Sequence, residues 1–386
     1  MRAAVLLTLA LSGPAAAAPC GGDFKAFLQA MVAEAVAAGV PPDAAQGLIG
    51  AARQDPKVLK ADRAQGVFRK SFLDFSQSLI SKARLSAARA KSAELDAIFT
   101  RAETDYGVPR GVLLAFWTFE TDLGKVQGDF NTRDALATLS HDCRRPEMFQ
   151  PQLLAAARLY AQGDFDPATT GAWAGEIGQV QMLPHDILER GVDGDGDGQV
   201  RLKTSAADAL LSGANLLRHH GWQAGQPWLT EITLPADFDW ALTGLGTEKS
   251  TADWAALGVA AREGALPAQD GAFILLPQGR KGPAFLAYPN FRVLFDWNQS
   301  FTYVLTAAYF ATRIEGAAPY AAGQPDPALS LDQMKALQEK LAARGYDVGQ
   351  IDGILGAGTR DAVQKEQVRL GLPADAWPTA ELLALL

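Results

Sequence analysis

The chain has 386 residues, 48% of them hydrophobic, and a formal net charge of −8. A chain of this length can bury a large core and is typical of two or three domains. No block of Lys and Arg stands out against the negative charge, which argues against nucleic-acid binding.

Residues 1–18 predict a secretory signal peptide. Arg2 is followed by an apolar run and then by four alanines at 15–18, which is the pattern of such a segment and its cleavage site. No other stretch approaches the ~20 apolar residues that a membrane-spanning helix needs. We therefore expect an exported protein whose mature part has no membrane span.

Cys20 and Cys143 are the only cysteines in the chain. Disulfides persist in exported proteins, so we predict that the two residues pair. The bond would close a long loop and add about 3 to 5 kcal/mol to the free energy of unfolding. A lipid anchor on Cys20 is the alternative, and Pro19 directly before it fits lipoprotein processing poorly.

Apolar periodicity, together with Gly and Pro breaks, predicts a mainly helical body. The predicted helices cover residues 24–38, 42–52, 65–83, 92–106, 109–123, 135–139, 151–161, 206–219 and 301–314. Residues 131–134 are expected to supply a cap and an early acid for the 135–139 helix. Three β-leaning runs at 231–234, 272–276 and 284–288 predict a small sheet. The glycines of residues 171–184 predict a close-packed loop of the kind that often lines a site.

A linker and a small module follow the body. Residues 316–328 are rich in Ala, Pro and Gly, as linkers are. Three helices are predicted after it: 331–344, a helix capped by Thr359 that runs to 370, and a short helix capped by Thr379.

The helix from Pro109 to the residue before Gly124 carries the chemically informative residue. Leu113, Phe116 and Glu120 stand at i, i+3 and i+7, so a lone carboxylate shares the apolar stripe. Burial disfavours the charged form of a carboxyl group, which would suit Glu120 to donate a proton near neutral pH. The alternative is a structural Glu that pairs with an Arg or caps a neighbouring helix.

A second carboxylate is missing from this stripe. Glycoside hydrolases use two carboxylates on either side of the scissile bond. Asp122 is the nearest candidate, but two residues along a helix it faces another direction and is expected to be a solvated acid. A single Glu indicates a reaction in which the substrate supplies its own nucleophile.

Several motifs give the sequence a resemblance to a known family. They are Tyr106-Gly107-Val108-Pro109, Phe119-Glu120-Thr121, residues 131–140, Arg144-Arg145-Pro146-Glu147, Trp173-Ala174-Gly175, residues 178–184 and Trp297-Asn298-Gln299-Ser300. In this order and spacing they resemble the lytic murein transglycosylases of the membrane-bound B type, in a soluble form.

The resemblance implies a lysozyme-like (α+β), mainly α catalytic body that cleaves the β-1,4 bond between N-acetylmuramic acid and N-acetylglucosamine in peptidoglycan. Glu120 would act first as general acid and then as general base, leaving a 1,6-anhydromuramic end without water. The resemblance also implies that Gln181, Asn298 and Tyr303 line the glycan groove and that Arg144 and Arg145 face the peptide stems. The alternatives are that Gln181 satisfies loop backbone, that Tyr303 is a core residue and that the arginines form surface ion pairs.

Three positions depart from the family pattern. Ala172 replaces a Ser near the catalytic Glu, Glu176 replaces a small residue, and Leu216 replaces a groove Tyr. Glu176 could influence Glu120 by its charge or could point to solvent.

Asp193, Asp195 and Asp197 form the D-x-D-x-D-G opening of a calcium loop. Position twelve, where such a loop carries Glu, is Thr204, and the resemblance places the last ligand at Asp208. The predicted calcium ligands are Asp193, Asp195, Asp197, the Gln199 carbonyl and Asp208. Two alternatives stay open: a capping box in which Asp208 serves the helix N-terminus, and a plain Asp-Gly turn. No other cofactor is expected.

The predicted organisation is a signal peptide at 1–18, a catalytic domain at 20–315, a linker at 316–328 and a peptidoglycan-binding domain at 329–386. The last resembles the three-helix wall-binding type through Leu337-Gln338, Gly345-Tyr346, Ile351-Asp352-Gly353 and Gly358-Thr359-Arg360, whereas Glu366 replaces its usual Phe. We expect a periplasmic monomer that binds peptidoglycan strands, with other cell-wall enzymes as candidate partners. The rival functions are a wall-binding scaffold with little activity and a hydrolase that uses Glu176 as its base.

Overall fold

The computed structural model describes residues 19–64 and 70–386. The predicted signal peptide and the first residues of the predicted 65–83 helix lie outside these ranges. The described residues form two compact units, one of 19–64 with 127–209 and one of 70–126 with 210–386.

The first unit is helical with one small β-ladder. Its helices are Phe24–Ala37, Pro42–Ala45, Pro56–Arg63, Thr132–His141, Pro146–Gln162 and Pro184–Arg190, with a π-helical turn at Gln46–Gly50. Strands Phe130–Asn131 and Thr170–Gly171 pair antiparallel. Within the stretch 131–134 that was predicted to hold the cap, Asn131 caps the helix by accepting a hydrogen bond from the amide of Asp134 at 3.0 Å.

The predicted disulfide between Cys20 and Cys143 is present in this unit, across a sequence separation of 123 residues. The amide of Gly21, the next residue, donates to the His141 carbonyl at 2.8 Å. The bond therefore holds residues 20–21 against the end of the Thr132–His141 helix.

Breaking this disulfide should lower the free energy of unfolding by about 4 to 5 kcal/mol, because the loop it closes is long. Denaturant unfolding of a Cys20→Ser, Cys143→Ser double variant measures the loss. Reductant should move the midpoint of the parent toward that of the variant and leave the variant unchanged. A variant as stable as the oxidised parent would contradict this expectation.

The second unit carries a helical part, a small sheet and the C-terminal module. The helices of the first two parts are Phe72–Leu79, Lys82–Glu94, Asp96–Arg101, Arg110–Thr121, Thr251–Ala256, Pro289–Trp297 and Phe301–Ile314, with a π-helical turn at Ala102–Tyr106 and a 3-10 turn at Trp240–Leu242. A further helix, Ala206–His219, begins in the first unit and continues into this one.

The sheet has four antiparallel strands. They are, in spatial order, Ala260–Ala261, Leu229–Thr233, Phe285–Ala287 and Phe273–Leu275. The side chains of Ile232, Ile274 and Leu286 enter one buried cluster with Trp254. The predicted β subdomain is therefore confirmed. Two of its strands are shorter than expected, Leu229–Thr233 is one residue longer, and Ala260–Ala261 was not predicted.

Several predicted helix boundaries were wrong. Neither the 65–83 nor the 92–106 stretch is one continuous helix. Ser81 caps a new helix by accepting a hydrogen bond from the amide of Arg84, and Leu95 separates that helix from the one that follows. The predicted start at Pro151 was also wrong, since Pro146 occupies the first helical position and Pro151 lies inside the helix. The bounds of 206–219 and 301–314 agree with the prediction.

The module has helices at Leu331–Ala343, Ala357–Arg369 and Ala380–Leu385 around its own apolar cluster. Thr379 caps the last helix as predicted. Thr359 is not a cap: the helix begins at Ala357, and the buried Thr359 hydroxyl contacts the Gln338 amide at 3.3 Å. Glu366, at the position of the usual Phe, is buried and accepts from Tyr346 at 2.8 Å and Arg369 at 2.7 Å.

The predicted fold class, a mainly helical body with a small β subdomain and a three-helix module, is confirmed. Among the described residues, no helix has both the length and the apolar character required to cross a membrane.

Candidate active site

Glu120 lies near the end of a buried helix. Of the twelve residues of Arg110–Thr121, nine are buried, including Leu113 and Phe116. Glu120 follows them on the same stripe and is half-buried. The prediction of a buried helix that carries one carboxylate on its apolar side is thus confirmed.

The ends of this helix differ from the prediction. Pro109 is the N-cap instead of the first helical residue, and the helix ends at Thr121 because Asp122 adopts a left-handed conformation with φ 49°. The Thr121 hydroxyl then accepts from the amide of Gly124 at 2.9 Å. Asp122 points to Arg84, with 3.4 Å between the charged atoms, and takes no part in the Glu120 site.

Two donors hold one oxygen of Glu120. The Tyr303 hydroxyl donates to Oε1, and the indole nitrogen of Trp297 donates to the same atom at 3.1 Å. Hydrogen bonds to a carboxylate stabilise its charged form and fix its orientation. The site therefore combines partial burial, which disfavours charge, with two donors that favour it.

Tyr303 is buried, and this controls its chemistry. Burial, the nearby charge of Glu120 and the hydrogen bond to it together raise the pKa of Tyr303 well above 10. The hydroxyl consequently keeps its proton at neutral pH and serves as a donor to the carboxylate. Tyr303 is thus buried, as the core alternative expected, and also in contact with the candidate catalytic group.

A single short segment places both donors. Trp297 ends one helix and Tyr303 lies in the first turn of the next. Between them, the Asn298 side-chain oxygen accepts from the amide of Ser300 at 2.9 Å, and Ser300 in turn caps the second helix by accepting from the amide of Tyr303. These local bonds fix the turn that aims the two side chains at Glu120.

Aromatic packing supports the same arrangement. The Trp297 ring stacks on Phe116 with 4.3 Å between centroids and 14° between planes. Tyr303 packs edge-on against Phe119 at 6.0 Å. Gly213 lies against the far edge of the indole, where an added Cβ would stand 3.2 Å from the Trp297 ring. The indole is therefore held at one face and at one edge.

Gln181 and Asn298 are both half-buried and both bind backbone. Gln181 has a left-handed conformation with φ 53°, and its amide nitrogen donates to the Gly178 carbonyl at 2.7 Å. This bond is the backbone role that was the alternative for Gln181. Asn298 forms the turn described above.

Arg144 and Arg145 share one buried acid. Arg144 donates to Asp62 at 2.6 Å, and Arg145 donates to the other oxygen of the same carboxylate. The Asp62 residue is 2% exposed, whereas the arginine side chains are 48% and 32% exposed. The arginines therefore pair with a buried acid, whereas the alternative expected ion pairs at the surface, and they keep part of their own surface open to solvent.

The three departing positions have separate environments. Ala172 is half-buried, its amide donates to the Glu176 carbonyl at 3.0 Å, and Leu216 is buried. Glu176 is also half-buried, but its Oε2 atom is buried and has no hydrogen-bond partner in the described part of the chain. This burial raises the pKa of Glu176.

The acidic loop brings three of its predicted ligands together. Oxygens of Asp193, Asp195 and Asp197 lie within 4.8 Å of one another. Asp208 lies outside this group, and its two oxygens accept from the amides of Gly194 at 2.9 Å and Arg201 at 2.7 Å. Its part as a calcium ligand stays a prediction.

Asp208 does not complete the capping box. Ser205 accepts from the amide of Asp208 at 3.2 Å, which is half of such a box. The carboxylate of Asp208 instead fastens the loop to the start of the Ala206–His219 helix.

A comparison with known families identifies the family of this chain. The model of the transglycosylase SLT domain matches residues 23–312, which is most of the chain. The chain belongs to this transglycosylase family. The model of a peptidoglycan binding domain matches residues 330–386.

One curated relative agrees with this assignment. The membrane-bound lytic murein transglycosylase B of Escherichia coli strain K12 is 30% identical over 207 residues, which are 53% of this chain. The match spans just over half, 56%, of that curated relative.

Two solved structures are similar along most of their length. SltB3 from Pseudomonas aeruginosa, in complex with NAG-anhNAM-pentapeptide, has a TM-score of 0.86 and 36% identity, covering 95% of this chain and 99% of that one. Slt35 of Escherichia coli, in complex with calcium, has a TM-score of 0.64 and 25% identity, covering 77% of this chain and 96% of that one.

Sequence reasoning missed the part that Trp297 plays in this candidate site. The residue belongs to the quoted motif 297–300, yet only Asn298 was singled out as a site residue. A signal was present, since a Trp at the polar end of an otherwise apolar helix needs a partner for its indole N–H. The partner lies 177 residues away in the chain, so no local pattern could name it.

Proposed function

We propose that this protein is a lytic transglycosylase that cleaves the β-1,4 bond between N-acetylmuramic acid and N-acetylglucosamine in peptidoglycan. The observation that carries the proposal is Glu120, half-buried on an apolar helix and held at one oxygen by Tyr303 and Trp297. Membership of the transglycosylase family supports the same reaction.

Glu120 acts twice in this reaction. As general acid it gives its proton to the bridging oxygen while the bond from the anomeric carbon to that oxygen breaks. As general base it then takes the proton of the muramic C6 hydroxyl, whose oxygen bonds to the anomeric carbon. The product has a 1,6-anhydro end, and Glu120 regains its proton.

The two donors keep the Glu120 carboxylate in one orientation. Oε1 accepts from both Tyr303 and Trp297, and hydrogen bonds to an ionised group are stronger than those between neutral groups. Tyr303 stays neutral throughout, because its pKa is well above 10.

Further residues are proposed to contact the substrate. Gln181 and Asn298 contact the glycan strand, and the open faces of Arg144 and Arg145 meet the carboxylates of the peptide stems. The match of residues 330–386 to a peptidoglycan binding domain supports wall binding by the C-terminal module. The site of action is the periplasm, reached by export.

We also propose a structural calcium ion at the acidic loop, held by Asp193, Asp195 and Asp197. Three oxygens within 4.8 Å suit a cation that prefers carboxylate ligands. The Gln199 carbonyl and Asp208 are the further proposed ligands. The ion supplies charge compensation to the loop and takes no part in the glycosidic chemistry.

Calcium should raise the thermal unfolding midpoint of the parent protein. At a free concentration ten times the dissociation constant, binding adds about 1.4 kcal/mol to the free energy of unfolding. The measurement is a calcium titration followed by a chelator, with an Asp195→Asn variant as control. Equal calcium responses of parent and variant, or none in the parent, would contradict the site.

Clearing of a suspension of purified peptidoglycan distinguishes the enzyme from the wall-binding scaffold. The enzyme releases many soluble muropeptides per protein molecule, and it does so without an added cofactor. A folded protein that sediments with peptidoglycan but releases nothing would favour the scaffold.

A further inference from the structure

The C-terminal module is bonded to the body of the second unit through Arg360. Its two terminal nitrogens donate to the carbonyls of Leu276 at 3.4 Å and Pro277 at 2.7 Å, directly after a strand of the small sheet. Burial lowers the pKa of Arg360 to about 10, and Asp375 partly offsets this. The guanidinium is therefore still charged at neutral pH.

The same guanidinium covers an aromatic ring of the catalytic segment. The central carbon of Arg360 lies 4.7 Å from the centroid of Phe301, the first residue of the Phe301–Ile314 helix. Phe301 is 7% exposed. It lies between Trp297 and Tyr303, the two residues that hold Glu120. The module thus packs on the segment that positions both donors.

Other bonds fix the module at this place. One turn after Arg360, the Gln364 amide donates to the Thr243 carbonyl at 2.9 Å. Asp375 of the module accepts from the amide of Arg280 at 3.0 Å. Gly279 has φ 73°, and an added Cβ there would stand 2.7 Å from Cβ of Trp377. The backbones at this contact have no room for an extra methyl group.

The predicted linker also packs on the body. The Tyr320 ring lies 4.7 Å from that of Tyr309, on the Phe301–Ile314 helix. The amide of Ala321 donates to Glu231 at 2.7 Å, and the indole of Trp377 donates to the Asp326 carbonyl at 3.0 Å. A loose tether, free of the body, does not make such contacts.

We propose that the C-terminal module is a structural part of the active site, and that Arg360 is a positioning residue that acts through Phe301 on the two donors to Glu120. The proposal rests on the proposed transglycosylase function. A module that only docks the enzyme on the wall requires no cation stacked on the catalytic helix. Stacking of a cation on Phe301 fixes the start of that helix and so the direction of Tyr303.

The test compares Arg360→Leu with Arg360→Lys on a short soluble peptidoglycan fragment, a disaccharide-peptide dimer. We expect Arg360→Leu to lower kcat about tenfold with little change in KM, since a misplacement near 1 Å can cost ~10²-fold. Arg360→Lys, which keeps the cation, should recover part of the loss. Lys365→Ala, at an exposed ion pair on the same helix, is the control and should match the parent.

A double-mutant cycle with Phe301→Leu keeps the proposal testable even where Arg360→Leu fails to fold. In the Phe301→Leu background, Arg360→Lys should have no further effect on kcat, because the ring through which it acts is gone. Loss of sedimentation with peptidoglycan at unchanged kcat in Arg360→Leu would overturn the proposal, as would independent effects in the cycle. An inactive parent would instead overturn the proposed function.

Discussion

Replacing Glu120 by Gln should lower the turnover of peptidoglycan by about 10³- to 10⁴-fold, the upper range for loss of a general acid–base group. The amide can neither give the proton to the leaving oxygen nor take one from the C6 hydroxyl. It retains an oxygen that can accept from Tyr303 and Trp297, so the fold and the substrate contacts should survive. Release of soluble muropeptides over time, at equal concentrations of folded protein, measures the effect.

The matched control is Asp122→Asn at the end of the same helix. Asp122 forms ion pairs with Arg84 and Lys125, each at 3.4 Å, and has no contact with the proposed chemistry. Turnover of the variant should stay within about twofold of that of the parent. The ion pairs of Asp122 are exposed and contribute little to stability, so the fold should also be kept. Equal activity of Glu120→Gln and the parent would remove Glu120 from the mechanism.

Removing the hydroxyl of Tyr303 should have the second largest effect. A hydrogen bond to a charged group contributes about 1.5 to 3 kcal/mol, so Tyr303→Phe should lower kcat by roughly 10- to 100-fold. The ring still packs against Phe119, so the unfolding midpoint should change little. Trp297→Phe, which keeps the stacking on Phe116 and loses the other donor, should act in the same direction.

Tyr309→Phe is the matched control on the same helix. Its hydroxyl accepts from the amide of Tyr320 at 3.1 Å and contacts Arg313, away from Glu120. The variant should lose some stability and keep the kcat of the parent. If Tyr303→Phe also kept the full kcat, the hydrogen bond to Glu120 would have no part in catalysis.

The sequence predicted the features that local patterns encode. The apolar stripe around Glu120, the cap within residues 131–134 and the helices 206–219 and 301–314 all depend on neighbours within a few residues. The disulfide followed from the count of cysteines. The boundary at Ser81 was missed because a Ser inside a periodic stretch gives the same local signal whether it is exposed or caps a new helix.

The contacts that shape the site lie far apart in the chain and could not be found this way. Tyr303 and Glu120 are 183 residues apart, and Arg145 and Asp62 are 83 apart. The D-x-D-x-D-G motif predicted the three clustered acids. It could not show that Asp208 binds the amides of Gly194 and Arg201, since those bonds depend on how the loop returns to its helix.

The chemical structure of the glycan ends that cleavage creates tests the central claim most directly. The parent enzyme is given purified peptidoglycan in water enriched in heavy oxygen, and the soluble muropeptides are analysed by mass spectrometry. Non-hydrolytic cleavage predicts 1,6-anhydromuramic ends that are lighter than hydrolysis products by one water molecule and carry no heavy oxygen. Reducing ends labelled with heavy oxygen would contradict this account and indicate a hydrolase, with Glu176 as the first base to replace.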